Sequence, residues 1–337
     1  MSQTLRLSVL DQSVACVGRP QDESIRNTVA LAEHCERLGY ERFWLSEHHS
    51  IAAIVGTAPE ILMAAVAART SRIRIGSAGV MLPHYSPFKV AEQFRVLDAL
   101  APGRIDLGVG RAPGSDHRTA MLLNPDPRAS EMFPQQVREL HAWVTGQEMP
   151  EGHAGRGIQA YPRAATAPQL WMLGSSGYGA QLAGHFGMPY SFAHFITDGE
   201  GCAEALELYR HLFKPGLIDQ PQANICVWAL AADTEEEAWR LFASRERARV
   251  DRQTGRFGPL LPPEQALRDY SPAEEAYRQG LRRKAFVGTG EQVAQKLRAL
   301  AQELQVPELV VITWTWDPAA QRRSYELLAA ACGLQPG

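Results

Sequence analysis

The chain has 337 residues, 45% hydrophobic and 21% charged, with 28 Gly and 22 Pro, a globular composition long enough for one large core or two ordinary ones. Lys+Arg 34 against Asp+Glu 37 leaves a formal charge of -3, without the basic excess of a phosphate-backbone binder, so nucleic acid is not an expected partner. No apolar run approaches the roughly 18 residues of a membrane helix, and Met1-Ser2-Gln3-Thr4-Leu5-Arg6 lacks a secretory signal's apolar region, so the expectation is a soluble, cytoplasmic protein away from membranes.

Short apolar runs alternate with stretches of helical period along the chain, which favours a parallel sheet. Leu5–Leu10 is the first strand, and Asp22–Leu38 follows as a helix with Ile25, Val29, Ala32 and Cys35 on one face, ended by Gly39. Arg42–Ser46 precedes a helix over Pro59–Thr70, whose start carries a Thr57-to-Glu60 capping-box spacing. Ile73–Leu82 is the third strand, Ser86-Pro87 opens a helix to Leu100, and Ile105–Val109 is the fourth strand. A loop over Arg111–Ala129 leads to a helix over Ser130–Thr145, and an irregular stretch to strand five at Leu170–Leu173. Helix Tyr178–Phe186, strand Tyr190–His194, helix Ala203–Phe213, strand Ile225–Ala231 and helix Thr234–Val250 continue the alternation. The insertion Asp251–Ala285 holds four prolines, Thr289 and Gln292 cap a helix to Leu304, Leu309–Thr313 is strand eight, and Asp317-Pro318 starts a closing helix to Cys332. Eight strands, each followed by a helix, describe a (β/α)8 TIM barrel with loop insertions, occupying residues 1–337 as a single domain. A doubly wound open sheet would normally show a glycine-rich phosphate fingerprint after the first strand, and Asp11-Gln12-Ser13-Val14 is not one. The five cysteines are widely spaced and read as reduced core thiols.

A TIM barrel places its chemistry at the C-terminal ends of its strands. Those ends are polar here: Asp11-Gln12-Ser13, Glu47-His48-His49, Pro83-His84-Tyr85, Gly110-Arg111, Gly174-Ser175-Ser176-Gly177, His194 and Trp314-Thr315-Trp316. Gly174, Ser175 and Ser176 form a small hydroxyl-bearing turn at a helix start, where free N–H groups can hold a phosphate; an ordinary serine cap is the alternative. Arg111 adds a fixed cation that can grip a phosphate or a ring carbonyl, or else form a surface ion pair. Glu47-His48-His49 contains metal-ligand chemistry, but on a strand Glu47 and His49 share a face while His48 points away, so proton transfer by an imidazole is favoured and no metal is expected. Ile75-Gly76-Ser77-Ala78-Gly79-Val80 carries two glycines in a central strand, which marks close approach by a ligand, a bulge, or tight core packing.

Taken together, these residues resemble the bacterial luciferase-like monooxygenases, specifically their short single-chain branch. The resemblance runs from Leu5 to Cys332 and rests on Ser8-Val9-Leu10-Asp11-Gln12-Ser13, Phe43-Trp44-Leu45-Ser46-Glu47-His48-His49, Ile75 to Pro83, Gly103 to Arg111, Leu173-Gly174-Ser175-Ser176 and Phe286-Val287-Gly288-Thr289. It implies that reduced FMN, supplied by a separate NAD(P)H-dependent flavin reductase, reacts with dioxygen to give a 4a-hydroperoxide that oxygenates a small organic substrate. It further implies that Ser77, Ala78 and Gly79 back the isoalloxazine with a cis bond at Ala78–Gly79, that Arg111, Gly174, Ser175 and Ser176 hold the phosphate, that Glu47 and His48, with His49 beside them, serve the peroxide, and that the protein is a homodimer. Gly110 replaces a cysteine and Ser175 an acidic residue of luciferase itself, so neither light emission nor a long-chain aldehyde is implied. A deazaflavin-dependent hydride-transfer enzyme, a non-catalytic FMN-binding protein and a metal-dependent barrel hydrolase are the alternatives.

Overall fold

The computed structural model describes residues 5–336. Nine strands follow in chain order: β1 (Arg6–Asp11), β2 (Arg42–Leu45), β3 (Arg74–Met81), β4 (Ile105–Gly110), β5 (Gln169–Gly174), β6 (Tyr190–Phe192), β7 (Ala223–Ala232), β8 (Phe286–Thr289) and β9 (Glu308–Ile312). β1 to β6 pair in sequence, β6 pairs β7, β7 pairs β9 and β9 returns to β1, all parallel, which closes an eight-stranded barrel. The eighth barrel strand is therefore β9, where strand eight was expected.

β8 is the element that sequence periodicity did not supply. β7 continues past its barrel partners, and its last four residues, Ala229–Ala232, pair with Phe286–Thr289 above the ring. The stretch expected as an irregular insertion also contains helices Pro263–Ala266 and Pro272–Lys284, the latter opened by a Ser271–Glu274 capping box. His194 starts a short helix, His194–Thr197, instead of ending β6. The Thr289–Gln292 capping box forms as expected, whereas the Thr57–Glu60 spacing does not: the helix Pro59–Ala67 begins after Ala58 with no side-chain cap.

Alternation along the strands divides the core into two layers. Cys226, Trp228 and Leu230 of β7 and Val310 and Ile312 of β9 point inward with Leu10, Trp44 and Trp171. Their neighbours Ile225, Val227, Leu309 and Val311 face the surrounding helices. Trp44 and Trp171 meet edge to face at 5.2 Å across the interior.

The N-terminal end of the barrel is closed by charge. Asp106 Oδ2 accepts from Arg42 Nη1 at 2.8 Å and from Trp44 Nε1 at 2.9 Å, and Asp106 Oδ1 accepts from Arg74 Nε at 3.0 Å. Glu308 Oε1 accepts from Arg42 Nε at 3.0 Å and from Ser8 Oγ at 2.7 Å. Arg42, Asp106 and Glu308 are all buried, so each charge is compensated by a fixed partner in place of water. No helix among the described residues is long and apolar enough to cross a membrane.

Candidate active site

At the opposite end, the strand termini and the long helix Glu235–Gln253 enclose a cleft of about 1080 Å³ including its open mouth. Gln12, His48, Phe195, Trp228, Ile312 and Trp314 are among its walls. Its size suits a small organic molecule, and its lining combines apolar walls with a few fixed polar groups. The helix covers the barrel because Ala238, Leu241 and Phe242 join the same apolar cluster as Trp44, Trp171 and Trp228.

Within the cleft His48 has a defined tautomer. Trp314 Nε1 can only donate, and it donates to Gln12 Oε1 at 3.2 Å, which turns the Gln12 amide nitrogen toward His48 Nε2 at 3.1 Å. His48 Nε2 is then an acceptor, and its Nδ1–H donates to the Gly114 carbonyl at 3.3 Å. Burial pushes the His48 pKa below its usual 6.5, so the ring is held neutral.

Glu47 and His49 form a separate group, as the alternation predicts. Glu47 Oε1 accepts from His49 Nε2 and from the Tyr85 hydroxyl, each at 2.7 Å, and Oε2 accepts from the Met81 amide at 3.1 Å. Both carboxylate oxygens thus bind protein donors, and the group ties the end of β2 to the end of β3. His84 packs its ring 6.0 Å from His49 and bonds the Pro113 carbonyl at 2.8 Å. Among the described residues no cluster of three His, Cys, Asp or Glu could hold a metal ion.

The two glycines of β3 are filled by protein. A Cβ on Gly76 would lie 2.6 Å from the Trp44 indole and 2.8 Å from Asp106 Cβ, and one on Gly79 would lie 2.5 Å from Leu173 Cδ1. Close packing therefore accounts for both glycines. The register with β4 shifts between Ser77 and Val80, where the Ala78–Gly79 peptide is cis, as expected. Ser77 Oγ bonds the Gly108 carbonyl at 2.9 Å, leaving Ala78 only half-buried within this segment.

Gly174 ends β5, and Ser175 and Ser176 lead directly into the helix Gly177–Phe186, with no side chain capping its first N–H groups. Among the described residues neither serine hydroxyl takes part in a side-chain hydrogen bond. Arg111 leaves β4 beside this turn, its guanidinium 3.8 Å from the Tyr178 ring centre and free of any carboxylate partner among the described residues. Free helix N–H groups, two hydroxyls and an unpaired guanidinium are the donor set of a phosphate site, and they fit the phosphate of a flavin mononucleotide.

The family model described as luciferase-like monooxygenase matches residues 5–306. The chain belongs to the luciferase-like monooxygenases. A luciferase-like monooxygenase of Escherichia coli strain K12 is 38% identical over 96% of each chain. The N-acetyl-S-alkylcysteine monooxygenase of Bacillus subtilis strain 168 is 36% identical, covering 97% of this chain and 98% of its own. The crystal structure of apo-MsnO8 has the same fold at a TM-score of 0.89 and 35% identity, over 99% of this chain and 100% of that one. The fold also extends to more distant cofactor complexes. The FMN-bound oxygenating constituent of the Pseudomonas putida 3,6-diketocamphane monooxygenase is similar at TM-score 0.72 and 18% identity, covering 97% of both chains. An F420-dependent secondary alcohol dehydrogenase is similar at TM-score 0.66 and 15% identity, over 98% of this chain and 99% of its own. As a luciferase-like monooxygenase, this protein is a flavin-dependent oxidoreductase built on a closed parallel barrel.

Three residues of the cleft escaped the sequence reading. Trp228 is hidden inside the apolar run of β7, and Gln12 was noted only as part of a polar strand end. Arg245 sits in an arginine-rich helix that reads as solvated, yet it is buried and lies over the Trp228 ring at 4.2 Å. The available signal was its spacing, because Ala238, Leu241, Phe242 and Arg245 fall on one helical face.

Proposed function

We propose that this luciferase-like monooxygenase is a cytoplasmic, two-component enzyme that uses reduced FMN, delivered by a separate NAD(P)H-dependent reductase, and dioxygen to oxygenate a small organic substrate. Bound reduced flavin supplies the activation of dioxygen. In this reading the phosphate rests on Ser175, Ser176 and the helix start after Gly174, with Arg111 closing the site. Ser77, Ala78 and Gly79 back the ring. His48 lines the cleft as a neutral imidazole whose Nε2 accepts from the Gln12 amide, and Gln12 keeps it in that form. Glu47 and His49 act at one remove, fixing the backbone at Met81 and the loop after β2.

The observation that carries the reading is the unused donor set at Ser175, Ser176 and Arg111, which matches a monophosphate. The deazaflavin reading is supported by the likeness to the F420-dependent alcohol dehydrogenase, and it predicts no oxygen chemistry. Anaerobic titration with reduced FMN, followed by rapid mixing with dioxygen, separates the two. Saturable binding that weakens at least tenfold in Arg111→Met and Ser176→Ala together, and an oxygen reaction unlike that of free flavin, are expected. No binding of reduced FMN would overturn the proposal.

The assembly we propose is a homodimer built on the helices Pro59–Ala67 and Pro87–Leu100. Ile61, Val96 and Leu100 stand exposed there, at 67%, 49% and 61%, in one shallow apolar surface with Tyr161.

A further inference from the structure

Five arginines line the cleft, against one lining carboxylate, Asp251. Arg249 is tied to Asp198 at 2.6 Å, and Arg247 and Arg256 share Asp251 at 2.8 Å and 3.4 Å. Arg252 is exposed at the rim over the Phe257 ring. Arg245 differs from all of them. It is 6% exposed, stacked between helix and strand on Trp228, and among the described residues no hydrogen bond or ion pair engages its guanidinium.

Two neighbours are enclosed more completely than this guanidinium. The Trp228 indole N–H and the Ser244 hydroxyl are buried without a hydrogen-bond partner, and both residues line the same cleft. A buried cation without a paired carboxylate is unfavourable, and the carboxylate that acts on Arg245, Asp198, is already bonded to Arg249. Burial indeed pushes the Arg245 pKa down to about 9. Such an arrangement is retained where a ligand completes it, and the Arg245 guanidinium presents donors only. The missing partner is therefore an acceptor with negative charge.

We propose that Arg245 binds the carboxylate of the organic substrate, with Trp228 and Ser244 lining the same pocket, and that the substrate's apolar part lies against the cleft's walls. The substrate class is thus an amphipathic carboxylic acid. The inference rests on the flavin reading above only for identifying this carboxylate as that of the oxygenated molecule. A guanidinium fork receives a carboxylate through two parallel N–H···O bonds, so the site discriminates by charge and by shape.

Equilibrium binding of the full chain to N-acetyl-S-benzylcysteine and 4-phenylbutyrate, each beside its neutral carboxamide, tests the proposal. The acids should bind on the order of 10- to 100-fold more tightly than the amides. Arg245→Met should erase that preference, and Arg245→Lys should keep part of it. Arg245→Met should also fold, with a thermal midpoint no lower than the parent's, because it removes an uncompensated buried charge. Equal affinity for acid and amide, absence of binding by both acids, or an undiminished preference in Arg245→Met would each overturn the assignment. Reduced-FMN binding is measured on the same preparations. Arg245-dependent carboxylate binding without reduced-FMN binding would overturn the flavin reading and leave the anion site standing.

Discussion

His48 is defined more by its partners than by its own chemistry, because Trp314 fixes the Gln12 amide and the amide fixes the imidazole. On the proposed mechanism, His48→Ala should retain reduced-FMN binding but uncouple dioxygen use from product formation, read as hydrogen peroxide released per oxygen consumed. Unchanged coupling would remove His48 from the reaction. Its pKa is lowered by burial, so the folded protein resists protonation and the unfolded chain takes up the proton first. The stability held by the neutral ring is present above pH 6.5 and declines as pH falls below it, and the coupling ratio should hold level down past 6.5. Gln12→Glu reverses the arrangement: the new carboxylate accepts from Nε2–H, so NMR titration should find the His48 pKa raised by about one unit or more. The sequence placed Gln12 and His48 at neighbouring strand ends but carried no sign of their bond, which depends on an indole supplied from residue 314.

Strands and helices with strong periodicity were readable because proline, glycine and capping residues punctuate them. β8 was not, since Phe286-Val287-Gly288-Thr289 is four residues long, contains a glycine and merges into a helix cap. Its pairing is decided by the overhang of β7, a property of a distant segment. The glycines of β3 were read correctly as a place of close approach, but whether a ligand or the core approaches is a tertiary fact. Gly76→Ala pushes a methyl into the Trp44 indole and should lower the unfolding free energy by about 1–3 kcal/mol, measured by denaturant titration. Asp106→Ala strips the partner from buried Arg42 and should lower it by about 3–5 kcal/mol. A loss below 1 kcal/mol there would mean that Glu308 alone compensates Arg42.

At the scale of the whole molecule, the barrel presents an apolar surface on two adjacent helices and an open end at its strand termini. The helices Pro59–Ala67 and Pro87–Leu100 were indistinguishable by pattern from other barrel helices, and in the structure they share one surface through exposed Ile61, Val96 and Leu100. Leu100→Glu should shift the sedimentation of the proposed dimer to that of a 37.1 kDa species while leaving the fold intact. A parent that already sediments as a monomer would refute the dimer. The charged floor of Arg42, Asp106 and Glu308 has a kinetic corollary. With the barrel sealed from below, the proposed flavin and the proposed organic substrate would both have to enter at the end that carries the strand termini. The entry order should then be compulsory, with the flavin first. Initial-rate patterns should show that a saturating organic ligand slows flavin exchange, the signature of a queue at one door.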